Sequence, residues 1–267
     1  MCAAPLIVGG WLKDPADSRD RSLELILPVL QQRAGWDGGA AGRHVIPEYT
    51  PVSSQGLLSS CVANSWCDAL EILRGLERPD DVKQLSRLFL YWNARVLHDA
   101  TGRDAGTFLR AGAQQLKKLG ICEEQYWPYD PDRVLSPPPA SCYTMAAENR
   151  LTGFYRIHAA GEPRLRAVEL ALRANHPVLF GTVLGKPFSG YRGGGHTFFA
   201  PARHEWTGRH AMVLTGVERI GGRRRFLVRN SWGEGWGDAG HAWLDESYIG
   251  WEETQDLWVG TRMPGLA

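Results

Sequence analysis

Long apolar runs are missing from this 267-residue chain. No stretch approaches the roughly 20 consecutive residues that a helix needs to cross a bilayer, so no membrane partner is expected. An excess of one charge is missing too. Thirty basic side chains stand against 29 acidic ones, a net charge of +1, and that balance offers nucleic acid no long-range attraction. There is no internal repeat and no sustained heptad. The cysteines and histidines nowhere form a closely spaced ligand cluster, so neither a metal nor a cofactor is expected. Residues 1–11 have no basic leader and too short an apolar stretch for a secretion signal. Cytoplasmic residence and non-classical export both stay open. Cysteine is sparse and odd in number, at positions 2, 61, 67, 122 and 142, so at least one thiol cannot pair within the chain.

What is present is a hydrophobic fraction of 43%, enough for one large domain or for two lobes that share a cleft. The most informative stretch is Gln55-Gly-Leu-Leu-Ser-Ser-Cys61-Val-Ala-Asn-Ser-Trp66. A polar loop ends at a cysteine, and from there apolar residues recur at Val62, Trp66, Leu70 and Leu73. That spacing predicts a helix with one buried face, capped by Ser59 or Ser60 and stopped at Gly75. Cys61 then lies in the first turn, where the amide groups and the helix dipole favour a thiolate. Cys67, on a different face of the helix, is expected in the core.

Further helices are predicted over 84–99, with Leu85, Leu88, Trp92 and Val96 on the buried stripe, and over 107–119. The Pro-rich segment 130–142 reads as the crossing between lobes, and Cys122 and Cys142 flank it, either paired or free. Beyond it come short apolar runs at 154–157, 177–184, 211–217, 226–229 and 242–244, interrupted by a helix near 163–174. The arginines of Ile220-Gly-Gly-Arg-Arg-Arg-Phe226 are expected in a solvated hairpin tip. The pattern is α+β, with a helical lobe facing a β-rich one.

Three separated motifs carry a resemblance. Gln55-Gly-x4-Cys61, the strand-opening Gly208-Arg-His210-Ala, and Asn230-Ser-Trp232-Gly-Glu-Gly-Trp236-Gly237 resemble, in order, the signatures of papain-like cysteine peptidases. Compact microbial members with a short N-terminal arm are the most similar in layout. The resemblance implies a papain-like two-lobe fold, with a helical lobe packed against a β-barrel-like lobe and the active site in the cleft between them. An arm over 1–40, a helical lobe over 41–135 and a β lobe over 136–267 would follow.

It further implies that Cys61 attacks a peptide or protein substrate to form a thioester acyl-enzyme, with His210 as acid and base. Asn230 would orient the imidazole, and Gln55 with the Cys61 amide would hold the oxyanion. Trp232 would shield the His210–Asn230 bond, and Gly106 would line the groove and bind substrate backbone. Some positions depart from the family pattern. Leu58 stands where a disulfide cysteine is common, Val62 where an aromatic residue is usual, and Ser59 where glycine is usual. Arg209 adds positive charge beside the catalytic ring. An acyl transferase or transpeptidase on the same residues is an alternative, as is a papain-like binding protein whose cleft is blocked. The arm is expected either along the cleft, there to be removed on activation, or on the back of the body.

Overall fold

The computed structural model describes residues 9–35 and 42–262. In chain order the elements are β1 (Trp11–Leu12), α1 (Leu27–Ala34), β2 (His44–Val45), α2 (Cys61–Glu77) and α3 (Arg87–Val96). Next come β3 (Thr107–Phe108), α4 (Leu109–Lys118), α5 (Ala140–Ala146), β4 (Gly153–Arg156), α6 (Gly161–Arg173) and β5 (Val178–Gly185). The chain closes with α7 (Lys186–Ser189), β6 (Thr197–Phe198), β7 (Trp206–Ile220), β8 (Arg223–Arg229), β9 (His241–Asp245), α8 (Glu246–Gly250) and β10 (Gln255–Thr261).

The apolar side chains collect in two cores. In one, Val62, Trp66 and Leu70 of α2 meet Phe89 and Leu90 of α3, Leu116 of α4 and Cys142 of α5. Leu179, Val213 and Trp258 close this core from the sheet side. The other lies between the sheet and α6, where Phe180, Leu214, Phe226 and Leu244 meet Val168 and Leu172. The sheet runs β4-β10-β5-β7-β8-β9-β6, with β2 added to β7. The fold is therefore the expected α+β arrangement of a helical and a β-rich lobe.

Several local expectations are corrected. Helix α2 is buried on nearly every side rather than along one face, because helices cover one flank and the sheet the other. Its polar residues survive burial by pairing: Asp68 and Glu71 both receive the Arg87 guanidinium, at 2.9 and 3.0 Å. Gly75 does not end the helix but sits inside it, where a Cβ would lie 1.9 Å from the Tyr49 ring. Ser60 occupies the N-cap position without capping through its side chain; its hydroxyl is engaged by Tyr129 at 2.5 Å. On α3 the run Arg87 to Tyr91 and Asn93 to Arg95 is buried, Trp92 is only partly so, and Val96 points outward.

The tip between β7 and β8 is only Gly221-Gly222, both at positive φ. The three arginines are strand residues bound to carboxylates, Arg224 being buried against Glu162 and Glu169. Cys67, Cys122 and Cys142 are buried free thiols, and Cys2 lies outside the described residues. Among those residues, no helix is long and apolar enough to cross a membrane, and no group of His, Cys, Asp and Glu is arranged to hold a metal.

Residues 22–34 of the arm pack on the β lobe, with Leu23, Ile26 and Leu30 fully within its core beside Tyr155 and Val168. Residues 10–12 do something different. Strand β1 lies parallel to β3, and Thr107 donates its amide to Gly10 O at 2.8 Å.

Candidate active site between the lobes

The loop carrying Gln55 and the start of α2 are tied to the β lobe by backbone and side chain. Gln55 takes the Ser231 carbonyl at 2.8 Å through its amide N–H. Its side-chain Oε1 accepts from the Ser231 hydroxyl at 2.7 Å, and its Nε2 donates to Leu58 O at 2.8 Å. An amide nitrogen has two hydrogens, so one N–H of Gln55 stays available. The neighbouring Ser54 bridges to Trp232. These bonds place the glutamine loop, the first turn of α2 and the 230–232 segment in one cluster.

His210 lies in the interior of β7, registered with Thr182 on β5. Its Nε2 donates to Asn230 Oδ1 at 2.8 Å, and the indole of Trp232 stacks on the imidazole at 4.9 Å between centroids. Asn230 Oδ1 is fixed in turn by the Ser231 amide at 2.8 Å. The second ring nitrogen, Nδ1, is buried and makes no hydrogen bond. The amide of Ala211, the residue next to His210, acts on the Cys61 sulfur and favours its thiolate. Cys61 and His210 are both fully shielded from solvent.

That shielding sets their protonation. Burial pushes the Cys61 thiol up to about 12, against the smaller opposing pull of the surrounding amides. It also pulls His210 down to about 4, only partly offset by the bond to Asn230. A neutral thiol and a neutral imidazole are the states that such burial favours. The helix-dipole effect predicted from the sequence is outweighed here by desolvation.

The chain's own arm runs alongside this site. A Cβ on Gly106 would lie 2.3 Å from Gly10 O, and one on Gly10 would lie 2.3 Å from Ser59 O. The arm thus fills the groove between Gly106 and the residues just ahead of Cys61. Gly106 is held by Tyr91, whose hydroxyl accepts its amide at 2.9 Å and donates to Asp104. Asp104 also takes the Ser59 amide, at 3.0 and 3.1 Å to its two oxygens. Trp11 is buried against Gly181, beneath the Arg209 guanidinium 5.9 Å from its ring centroid. Residues 10–12 thus lie between Gly106 and Ser59, and Leu23, Ile26 and Leu30 lie in the β-lobe core.

Two buried carboxylates clamp this plug. Asp256 Oδ2 accepts the Trp11 indole N–H at 3.1 Å and the Asp14 amide at 2.7 Å. Asp14 accepts the Trp258 indole at 2.8 Å and the Arg110 amide at 3.1 Å. Arg156 bonds Asp256 Oδ1 at 2.6 Å. Burial, and then the proximity of Asp256, raise Asp14 to about 7, and burial raises Asp256 as well. Asp104, Tyr91, Trp11, Asp14 and Asp256 were not legible as site residues from the sequence. A lone aspartate carries no signal, and the contact between Trp11 and Asp256 spans 245 residues.

A family model described as papain family cysteine protease matches residues 43–254. The chain is 28% identical over 221 residues to an uncharacterized peptidase C1-like protein of Acanthamoeba polyphaga mimivirus, covering 80% of this chain and 70% of that one. It is 24% identical to falcipain-3 of Plasmodium falciparum over 81% of its own length, but it spans only 43% of that relative. The crystal structure of xylellain, a cysteine protease from Xylella fastidiosa, superposes with a TM-score of 0.80 at 26% identity, covering 96% of both chains.

Proposed function

The chain belongs to the papain family of cysteine proteases, and from that premise we propose that Cys61, His210, Asn230 and Gln55 form its catalytic set, held silent by residues 10–14. The observation that carries this reading is the imidazole of His210. One nitrogen is fixed to Asn230, one face is covered by Trp232, and the other nitrogen is buried and unpartnered, while the next residue, Ala211, turns its amide toward the Cys61 sulfur.

Once the arm leaves, water and substrate enter and the desolvation that keeps the pair neutral is relieved. The Sγ proton passes to His210 Nδ1, while Nε2–H stays on Asn230. The sulfur attacks the peptide carbonyl, the C–S bond forms, and the oxyanion takes the Cys61 amide and the spare Gln55 N–H. The C–N bond then breaks as Nδ1–H protonates the leaving amine. Water next attacks the thioester, giving its proton to Nδ1, and release of the acid restores the thiol. A neutral Asn230 suits an imidazole that must carry positive charge, since it orients the ring without accepting its proton. The substrates are peptides or proteins. Residues 41–135 and 136–267 act as the lobes that supply the cysteine and the His–Asn pair, and Gly106, Arg209 and Trp232 act as groove residues. Occupation of the groove favours a self-blocked resting form over constitutive activity.

The test compares full-length wild type with Trp11→Ala, by native iodoacetamide labelling with peptide mapping and by hydrolysis of fluorogenic peptides. In Trp11→Ala, Cys61 is expected to label ahead of Cys67, Cys122 and Cys142. His210→Ala should slow that labelling, and Cys61→Ala should abolish hydrolysis. Equal labelling of all thiols, or none at Cys61, would argue against an activated nucleophile.

A further inference from the structure

The slot that holds Trp11 is shaped for an indole. Its floor is the backbone of Gly181 on β5, where a Cβ would lie 2.0 Å from the ring. Any larger residue there would exclude the side chain. The far end of the slot is the carboxylate of Asp256, and its rim is the Arg209 guanidinium. Gly10, next along the arm, is bonded to the Thr107 amide beside Gly106. The slot therefore opens off the same groove that Cys61 borders.

Consider what remains when the arm withdraws. Asp256 Oδ1 keeps Arg156, but Oδ2 loses both of its donors, the Trp11 indole and the Asp14 amide. A buried acceptor without a donor is costly, so the vacant slot discriminates by what its occupant offers Oδ2. Leucine or phenylalanine fills volume and leaves the oxygen bare. Lysine or arginine brings a donor, but must pass Arg209 at the rim and share Asp256 with Arg156, two like charges. Tryptophan supplies a neutral ring-edge donor and presents its face to the Arg209 guanidinium, a favourable cation–π geometry.

We propose that this slot selects a tryptophan side chain in the substrate, with Asp256 reading the indole N–H and Gly181 giving the depth. This rests on the reading above that residues 10–12 lie where substrate backbone lies. The arm's Trp11 is then a stand-in for the residue the enzyme recognises. Asp256 and Gly181 act as specificity residues and take no part in bond breaking.

The test uses full-length Trp11→Ala, with the slot emptied, on fluorogenic peptides carrying Trp, Phe, Leu or Arg at each position on the acyl side of the cleaved bond. At one position Trp is expected to exceed Phe and Leu by about 10- to 100-fold in kcat/KM, the range set by leaving a buried acceptor unpaired. Adding Asp256→Asn should erase that preference. Arg156 holds the amide oxygen, so the amide nitrogen faces the indole, donor against donor. Adding Gly181→Ala instead should shift the preference to small side chains. Independently of catalysis, N-acetyltryptophanamide should raise the melting temperature of Trp11→Ala but not of Trp11→Ala/Asp256→Asn, and N-acetylleucinamide should raise neither. Hydrolysis that depends on Cys61 but shows no Trp preference overturns the pocket and leaves the peptidase reading standing. Absence of hydrolysis and of Cys61 labelling in every variant overturns both.

Discussion

The arm should let go as pH rises, and the buried carboxylates set how steeply. Asp14 titrates near 7 when seated, against 3.8 for an unperturbed aspartate. The seated state therefore holds a proton more tightly than the released state does. A raised carboxyl contributes its full stabilisation below the lower of these values and loses it as pH climbs through the higher one. At about 1.36 kcal/mol per unit, the whole gap is worth about 4 kcal/mol of seating energy. Between pH 5 and 7 the ratio of seated to released arm should fall about 50-fold.

The groups facing the pair are the indoles of Trp11 and Trp258, the amides of Asp14 and Arg110, and the guanidinium of Arg156. Asp20 sits behind them, neutralised by Arg110 and Arg156. Protection of the Trp11 and Leu12 amides, measured by hydrogen exchange corrected for intrinsic pH dependence, reads the equilibrium directly. Asp14→Asn, which keeps an oxygen for the Trp258 indole but has no proton to lose, should flatten the profile. Identical pH dependence in wild type and Asp14→Asn from pH 5 to 8 would falsify the clamp as described.

Other perturbations follow from the same geometry. Gln55→Ala in the Trp11→Ala background should lower kcat by about 10²–10³ with little change in KM, as expected for one lost oxyanion donor; an effect confined to KM would remove Gln55 from that role. Arg229 is buried between Glu48 and Asp68, 3.4 Å from the latter. Arg229→Met should cost about 3–5 kcal/mol in denaturant unfolding, because it strips a buried acid of its partner; a loss below 1 kcal/mol would show that Arg87 alone satisfies Asp68. Gly75→Ala should destabilise by about 1–3 kcal/mol, since its methyl must displace the Tyr49 ring, and an unchanged melting temperature would mean that Tyr49 yields freely.

The elements that bring Cys61, His210 and Asn230 together were legible because each sits at an edge that leaves a local trace. An apolar periodicity begins at the cysteine, a strand-like run follows His210, and a Gly- and Trp-rich turn follows Asn230. Where local pattern misled, tertiary packing had overruled it. Gly75 reads as a stop, yet it is the gap into which Tyr49 fits. Arg223, Arg224 and Arg225 read as a solvated tip, yet acidic residues as distant as Glu162 and Glu169 draw Arg224 inward. The state of the site was the least legible part. Burial holds the Cys61 thiol and the His210 imidazole neutral, and nothing near either residue in the chain announces it.

Because Leu23, Ile26 and Leu30 stay buried in the β-lobe core, withdrawing Trp11 does not set the arm adrift. It remains tethered a few residues from its seat, at an effective concentration on the order of millimolar, and every incoming peptide must compete with that. Cutting the exposed link around Pro15, Ala16 and Arg19 would end that competition. A single nick there turns the tethered segment into a short diffusible peptide, and dilution alone would then keep the groove open.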